Sequence, residues 1–166
     1  KYKGANQTNI FTGAGVDFST DAVNKAAFDA AYNSLGWFSY NTPDDVVVAS
    51  NTMTVTATAT SNGLRIGSNI TDGKSARITF NVSAITGTWF VATYESGFIT
   101  HLEVTSTGTV DGLEITDWAS DSSLYLISND ASAHSISIDA SSINNVMNTI
   151  GAVAEYDGSG VASDKW

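Results

Sequence analysis

The run TMTVTATAT at residues 52–60 places Thr52, Thr54, Thr56, Thr58 and Thr60 on one parity and Met53, Val55, Ala57 and Ala59 on the other. Successive side chains of a strand point to opposite faces, so this stretch has one apolar face and one hydroxyl-bearing face. It reads as a half-buried strand. Such a strand needs a second layer to cover its apolar side.

Working outward, period-two hydrophobicity recurs downstream of Pro43. Ala76, Ile78, Phe80 and Val82 alternate, as do Phe90, Ala92 and Tyr94 opposite Trp89, Val91 and Thr93. Shorter runs follow at Leu102 and Val104, Leu113 and Ile115, Leu124 and Leu126, and Ile136 and Ile138. Turn signals fall between them at Asn62-Gly63, Asp72-Gly73, Gly87, Ser96-Gly97, Thr107-Gly108, Asp111-Gly112 and Asn129-Asp130. Short strands at this spacing, each with one apolar face, predict an antiparallel β-sandwich or jelly roll.

Upstream the pattern is helical. Residues 21–35, DAVNKAAFDAAYNSL, are Ala-rich, with Thr20 or Asp21 placed to cap the first turn and Gly36 placed to end the helix in a left-handed conformation. Val23, Ala26, Ala27, Ala30 and Ala31 share a small-residue face that would lie against a sheet or a neighbouring subunit, and Phe28, Tyr32 and Leu35 form a second stripe. The fold class is therefore mostly β, an antiparallel sandwich of the jelly-roll kind with one N-terminal α-helix. The division expected is an arm and helix over 1–42, the sandwich over 43–147, and a linker over 148–166. Lys1-Tyr2-Lys3-Gly4 is neither an initiator Met nor a signal peptide, and Gly158-Ser159-Gly160 precedes Trp166 like a linker, so both ends are expected to continue into other modules.

Composition narrows the function classes. Seven Lys and Arg against seventeen Asp and Glu give a formal charge of −10, which argues against nucleic acid and anionic membrane surfaces as partners. No stretch approaches the ~20 apolar residues of a membrane span. Absence of Cys removes disulfides, thiolate zinc sites and cysteine nucleophiles. Catalytic signatures are missing too: no nucleophile elbow, phosphate loop or zinc-binding helix motif is present, so the chain reads as a non-enzyme.

Residues 62–82, NGLRIGSNITDGKSARITFNV, and 134–143, HSISIDASSI, carry a resemblance. They are similar to the middle and closing strands of jelly-roll carbohydrate-binding modules as these recur in phage tail-fibre and other virion proteins. Residues 151–160, GAVAEYDGSG, resemble the junction that joins such a jelly roll to a following domain. The resemblance covers roughly the last two-thirds of the chain. It implies a non-catalytic virion module, a tail-fibre or decoration-protein domain, that contacts a host-surface glycan or serves as a spacer, located on the virion or outside the cell. Its partners would be copies of itself, other virion proteins and a host glycan. Two alternatives stay open: an accessory module of a secreted polysaccharide-degrading enzyme, and a subunit of an extracellular filament that donates its N-terminal arm as a strand. The resemblance also implies a structural Ca²⁺, with Asp139 of the Ile138-Asp139 pair as the candidate ligand; no other cofactor is expected.

Sugar recognition needs flat apolar faces for the C–H side of the ring, with side chains that take paired hydroxyl hydrogen bonds. Candidates are Trp37 and Tyr40 flanking a loop, Trp89, Trp118 and Tyr125. If Phe90 and Leu124 point inward, Trp89 and Tyr125 point outward. Trp89 and Trp118 could instead cover a sheet edge or a subunit interface. His101 and Glu103, two apart on a strand, are expected on one face as a surface hydrogen bond, with an acid–base or metal pair as the alternative. His134 is a weaker candidate, and the sequons at Asn6, Asn69 and Asn81 are of the number expected by chance.

Overall fold

The threonine-lined alternation becomes the strand around which the fold is built. In the computed structural model, which describes residues 18–66, 76–115 and 123–146, Met53, Val55 and Ala57 are fully buried while the threonines between them stay half-exposed. The described residues form ten strands: β1 (Trp37–Tyr40), β2 (Asp45–Ala49), β3 (Thr52–Ala57), β4 (Gly63–Ile66), β5 (Ala76–Ile85), β6 (Trp89–Tyr94), β7 (Phe98–Val104), β8 (Gly108–Ile115), β9 (Leu124–Ser128) and β10 (His134–Val146). They pair into a back sheet, β2-β3-β10-β5-β8, and a front sheet, β1-β4-β9-β6-β7. All the pairings are antiparallel. From β3 onward the chain distributes its strands as a jelly roll does, with β3, β10, β5 and β8 in one sheet and β4, β9, β6 and β7 in the other.

Between the sheets lies one apolar cluster. The back sheet contributes Val46, Val48, Met53, Val55, Phe80, Val82, Ile136 and Ile138, and the front sheet contributes Trp37, Leu64, Ile66, Trp89, Val91, Val104, Leu124 and Leu126. Each such side chain stabilises the fold by roughly 1.5–3 kcal/mol on burial, so this interior outweighs any surface term.

The helix closes one open side of the sandwich. α1 (Lys25–Tyr32) packs on β1 and β2, the edge strands of the two sheets. Its Phe28 and Tyr32 stack at 5.0 Å, and Tyr32 and Trp37 each meet Phe18 edge-on. This corrects part of the expected packing: Phe28 and Tyr32 are buried and Ala27 and Ala31 pack against the core beside them, whereas Val23 is 78% exposed and Ala26 and Ala30 face solvent. The helix also starts later than residue 21. Ala22 exchanges two backbone hydrogen bonds with Val48, which holds the chain extended there, and Asn24 becomes the cap, its Oδ1 accepting from the Ala27 amide at 3.0 Å. Gly36 does adopt the left-handed conformation, φ 85°, and closes a 3₁₀ turn over Asn33–Leu35.

Two other expectations change. Trp37–Tyr40 is an edge strand of the front sheet rather than part of a loop. Asp111-Gly112 is no turn but lies inside β8, where Phe80 faces Val110 and Ile78 faces Leu113, so the extra residue is absorbed as a β-bulge. The N-terminal arm, Trp118 and the tail from 148 lie outside the described residues.

Trp89 fills the interior, so Trp89→Ala should cost about 3–5 kcal/mol and lower the melting temperature by about 10 °C. Gly63→Ala should destabilise as well, because a Cβ there would come 2.1 Å from the Leu126 carbonyl oxygen. Thermal unfolding of both variants checks this, and unchanged melting of the Trp89 variant would contradict the packing.

Candidate functional site

Because Trp89, Val91 and Thr93 of β6 turn inward, Phe90, Ala92 and Tyr94 turn to the outer face of the front sheet. On β9 the inward residues are Leu124 and Leu126, which sends Tyr125 and Ile127 outward. Register then lines up two rows across all five strands. One runs Phe38, Arg65, Tyr125, Ala92, Thr100; the next runs Tyr40, Gly63, Ile127, Phe90, Glu103.

Small residues in these rows let large rings meet over them. Ala92 lies between β9 and β7, and across it the Tyr125 and Phe98 ring centroids are 5.2 Å apart. Gly63 lies between β1 and β9, and Tyr40 reaches over β4 to within 4.7 Å of Tyr125. Tyr94 adds contacts of 5.2 Å to Phe98 and 6.5 Å to Tyr125. Four inter-strand steps of about 4.8 Å would separate β1 from β7 by about 19 Å. Yet the Tyr40 and Phe98 ring centroids are 5.9 Å apart, so side chains from the two edge strands lean in over the middle of this face. The result is a second apolar cluster, with Ala92, Tyr125 and Ile127 buried beneath Tyr40, Phe90 and Phe98. Tyr94 remains 46% exposed at its top.

Polar groups border the rings. Burial raises the Tyr40 phenol above its ordinary value; the neighbouring Tyr125 and Tyr94 phenols add to the rise, and the Arg65 guanidinium opposes it. Tyr40 therefore stays an O–H donor through neutral and mildly alkaline pH. Arg65 itself lies over the Phe38 ring and donates from Nε to Ser123 Oγ at 3.1 Å.

Of the residues singled out from sequence, Tyr40 and Tyr125 come together here. Trp89 and Trp37 do not. Trp89 is fully buried, its Nε1–H donating to the Thr86 carbonyl at 3.1 Å, and Trp37 is 2% exposed with its Nε1 unpartnered. The expected orientation of Trp89 is thus reversed, since a ring with no exposed surface offers no platform. Trp118 lies outside the described residues. Sequence reading missed Arg65, Phe90, Tyr94 and Phe98; the available signal was the second apolar parity of β6, Phe90-Ala92-Tyr94.

The back sheet presents the opposite kind of outer face. Thr54 and Ser137 share a hydrogen bond at 2.8 Å, and Asp139 accepts from Thr52 Oγ1 and Asn81 Nδ2, each at 3.1 Å. The Thr52 hydroxyl and the Asn81 amide thus face the Asp139 carboxylate. Among the described residues no group of three or more acidic, Cys or His side chains could hold a metal ion.

His101 and Glu103 do not share a face. A β-bulge between Val91 and Ala92 leaves His101 as the extra residue, bonded to Thr93 Oγ1 at 2.8 Å on the inner side, while Glu103 stands opposite Phe90 on the outer side. His134 is buried 3.8 Å from Asp130.

No protein-family model and no curated protein matches the sequence. Among solved structures, one described as "CBM4 structure and function" aligns over 80% of this chain and 97% of its own, at 16% identity and a TM-score of 0.47.

Burial lowers the His101 pKa below its ordinary 6.5. The unfolded chain thus takes up this proton first as pH falls, and the stability that neutral His101 contributes is present above about pH 6.5 and lost below it. His101→Gln should flatten the fall in melting temperature between pH 7.5 and 5. An unchanged slope would remove His101 from the acid response.

Proposed function

We propose that this chain is a non-catalytic carbohydrate-recognition module that takes its ligand on the outer face of the front sheet. The observation that carries this reading is the ring cluster of Tyr40, Tyr94, Phe98 and Tyr125 on the side of the sheet turned away from the core. A sugar has one apolar C–H side and a rim of hydroxyls. Rings that are partly exposed supply the stacking surface, and phenol hydroxyls and the guanidinium supply hydrogen-bonding groups around it.

The finer role we propose is host-surface adhesion by a virion protein, located on the virion or outside the cell and assembled with copies of itself and other virion proteins. It is supported by the tail-fibre-like strings at 62–82 and 134–143. The acidity of the chain fits the absence of nucleic acid from its partners.

Affinity electrophoresis through immobilised polysaccharides tests both levels. An aromatic contact worth about 0.5–1.5 kcal/mol predicts roughly two- to tenfold weaker retention for Tyr94→Ala and for Phe98→Ala, with the fold intact by circular dichroism. Retention by bacterial surface polysaccharides is the adhesion result, whereas retention by plant cell-wall polymers alone would move the protein to an accessory module of a degrading enzyme. Retention unaffected by both substitutions would overturn the site.

A further inference from the structure

Arg65 stands apart on a face otherwise built of rings. It is exposed, yet its guanidinium is fixed on two sides: the Phe38 ring centroid lies 5.6 Å from Cζ, and Nε donates to Ser123 Oγ at 3.1 Å. These contacts use one face and one of five N–H groups, leaving the Nη fork. Its register neighbours, Phe38 on β1 and Tyr125 on β9, are uncharged, and among the described residues it makes no ion pair. Glu103 shares the outer face but lies three strands away, about 14 Å. At physiological salt, charges more than about 8 Å apart across the surface are largely screened. Among the described residues, therefore, no carboxylate cancels this cation.

Holding a long Arg side chain in one place has an entropic cost, and an exposed cation without a carboxylate partner recovers little of it. A preorganised guanidinium fork matches one ligand chemistry well. A planar carboxylate accepts two parallel N–H bonds from it, which a neutral hydroxyl cannot do. Tyr40 lies on the neighbouring strand β1, where its register partner is Gly63, two residues before Arg65.

Resting on the carbohydrate-recognition reading of this face, we infer that the sugar it selects carries a carboxylate, held by the Arg65 fork. The apolar side of the same sugar then packs on the exposed ring of Tyr94 and the partly exposed ring of Phe98. A uronate chain and a sialylated glycan both present this chemistry.

Isothermal titration of the whole chain with trigalacturonate, sialyllactose, the methyl esters of both, and neutral xylohexaose and cellohexaose tests the inference. One acidic oligosaccharide should bind about tenfold or more tightly than its own methyl ester, and the preference should shrink as salt rises. Arg65→Gln should abolish the preference, and Arg65→Lys should keep only part of it, because an ammonium has no fork. Acid and ester binding alike, or a neutral hexasaccharide binding best, would overturn the inference while leaving the recognition site in place. Failure of every sugar to bind would overturn both. If Arg65→Gln proves misfolded by its melting curve, the acid-to-ester comparison on the unaltered chain decides alone.

Discussion

Burial of Trp89 between the sheets sets which way β6 faces, and β6 sets what the front sheet shows to its surroundings. A strand has only two parities, so placing Trp89, Val91 and Thr93 inside places Phe90, Ala92 and Tyr94 outside. The indole is the largest side chain in the interior without exposed surface, and its N–H is satisfied by the Thr86 carbonyl three residues back. A slip of one residue would exchange the core face of β6 for the ring-bearing face and put Phe90 where Trp89 packs. The same choice propagates through register to β9 and β7, because Ala92 faces both Tyr125 and Thr100.

The two sheets spend their outer faces differently. On the back sheet, threonine, serine, asparagine and Asp139 link neighbouring strands by side-chain hydrogen bonds, and the polar face satisfies itself. On the front sheet, Gly63 and Ala92 leave gaps over which Tyr40, Phe98 and Tyr125 close. Gly63 matters here for its missing Cβ, since the Leu126 carbonyl occupies the space a side chain would need. A sheet needs rings on one face to join its core; rings clustered on both faces of the same sheet call for a second explanation, and ligand contact is the one this chemistry fits.

Much of the fold was legible from period alone. At residues 52–57 the alternation was between hydroxyl and apolar side chains, so the inner parity was unambiguous, and the structure follows it. At β6 and β9 both parities were apolar or aromatic, as in Trp89-Phe90-Val91 and Leu124-Tyr125-Leu126, and hydrophobicity could not rank them. Tyr125 was therefore placed outward correctly by the assumption that Leu124 points inward, and Trp89 incorrectly by the same assumption about Phe90. His101 and Glu103 were separated by a bulge, which sequence spacing does not announce. Arg65 stood within the resembling string at 62–82, but nothing local marked it; its significance comes from Phe38 and Ser123, which are distant in sequence. The helix start shifted for a similar reason, as the bridge from Ala22 to Val48 is long-range.

The most direct measurement is a backbone-amide NMR titration with an oligosaccharide that the chain retains. If the outer face of the front sheet is the recognition surface, saturable shifts will gather at β1, β4, β6, β7 and β9 around Arg65, Tyr94 and Phe98, and leave the polar outer face of β3, β5 and β10 unmoved. Saturable shifts centred on that polar face, with the ring cluster silent, would contradict it.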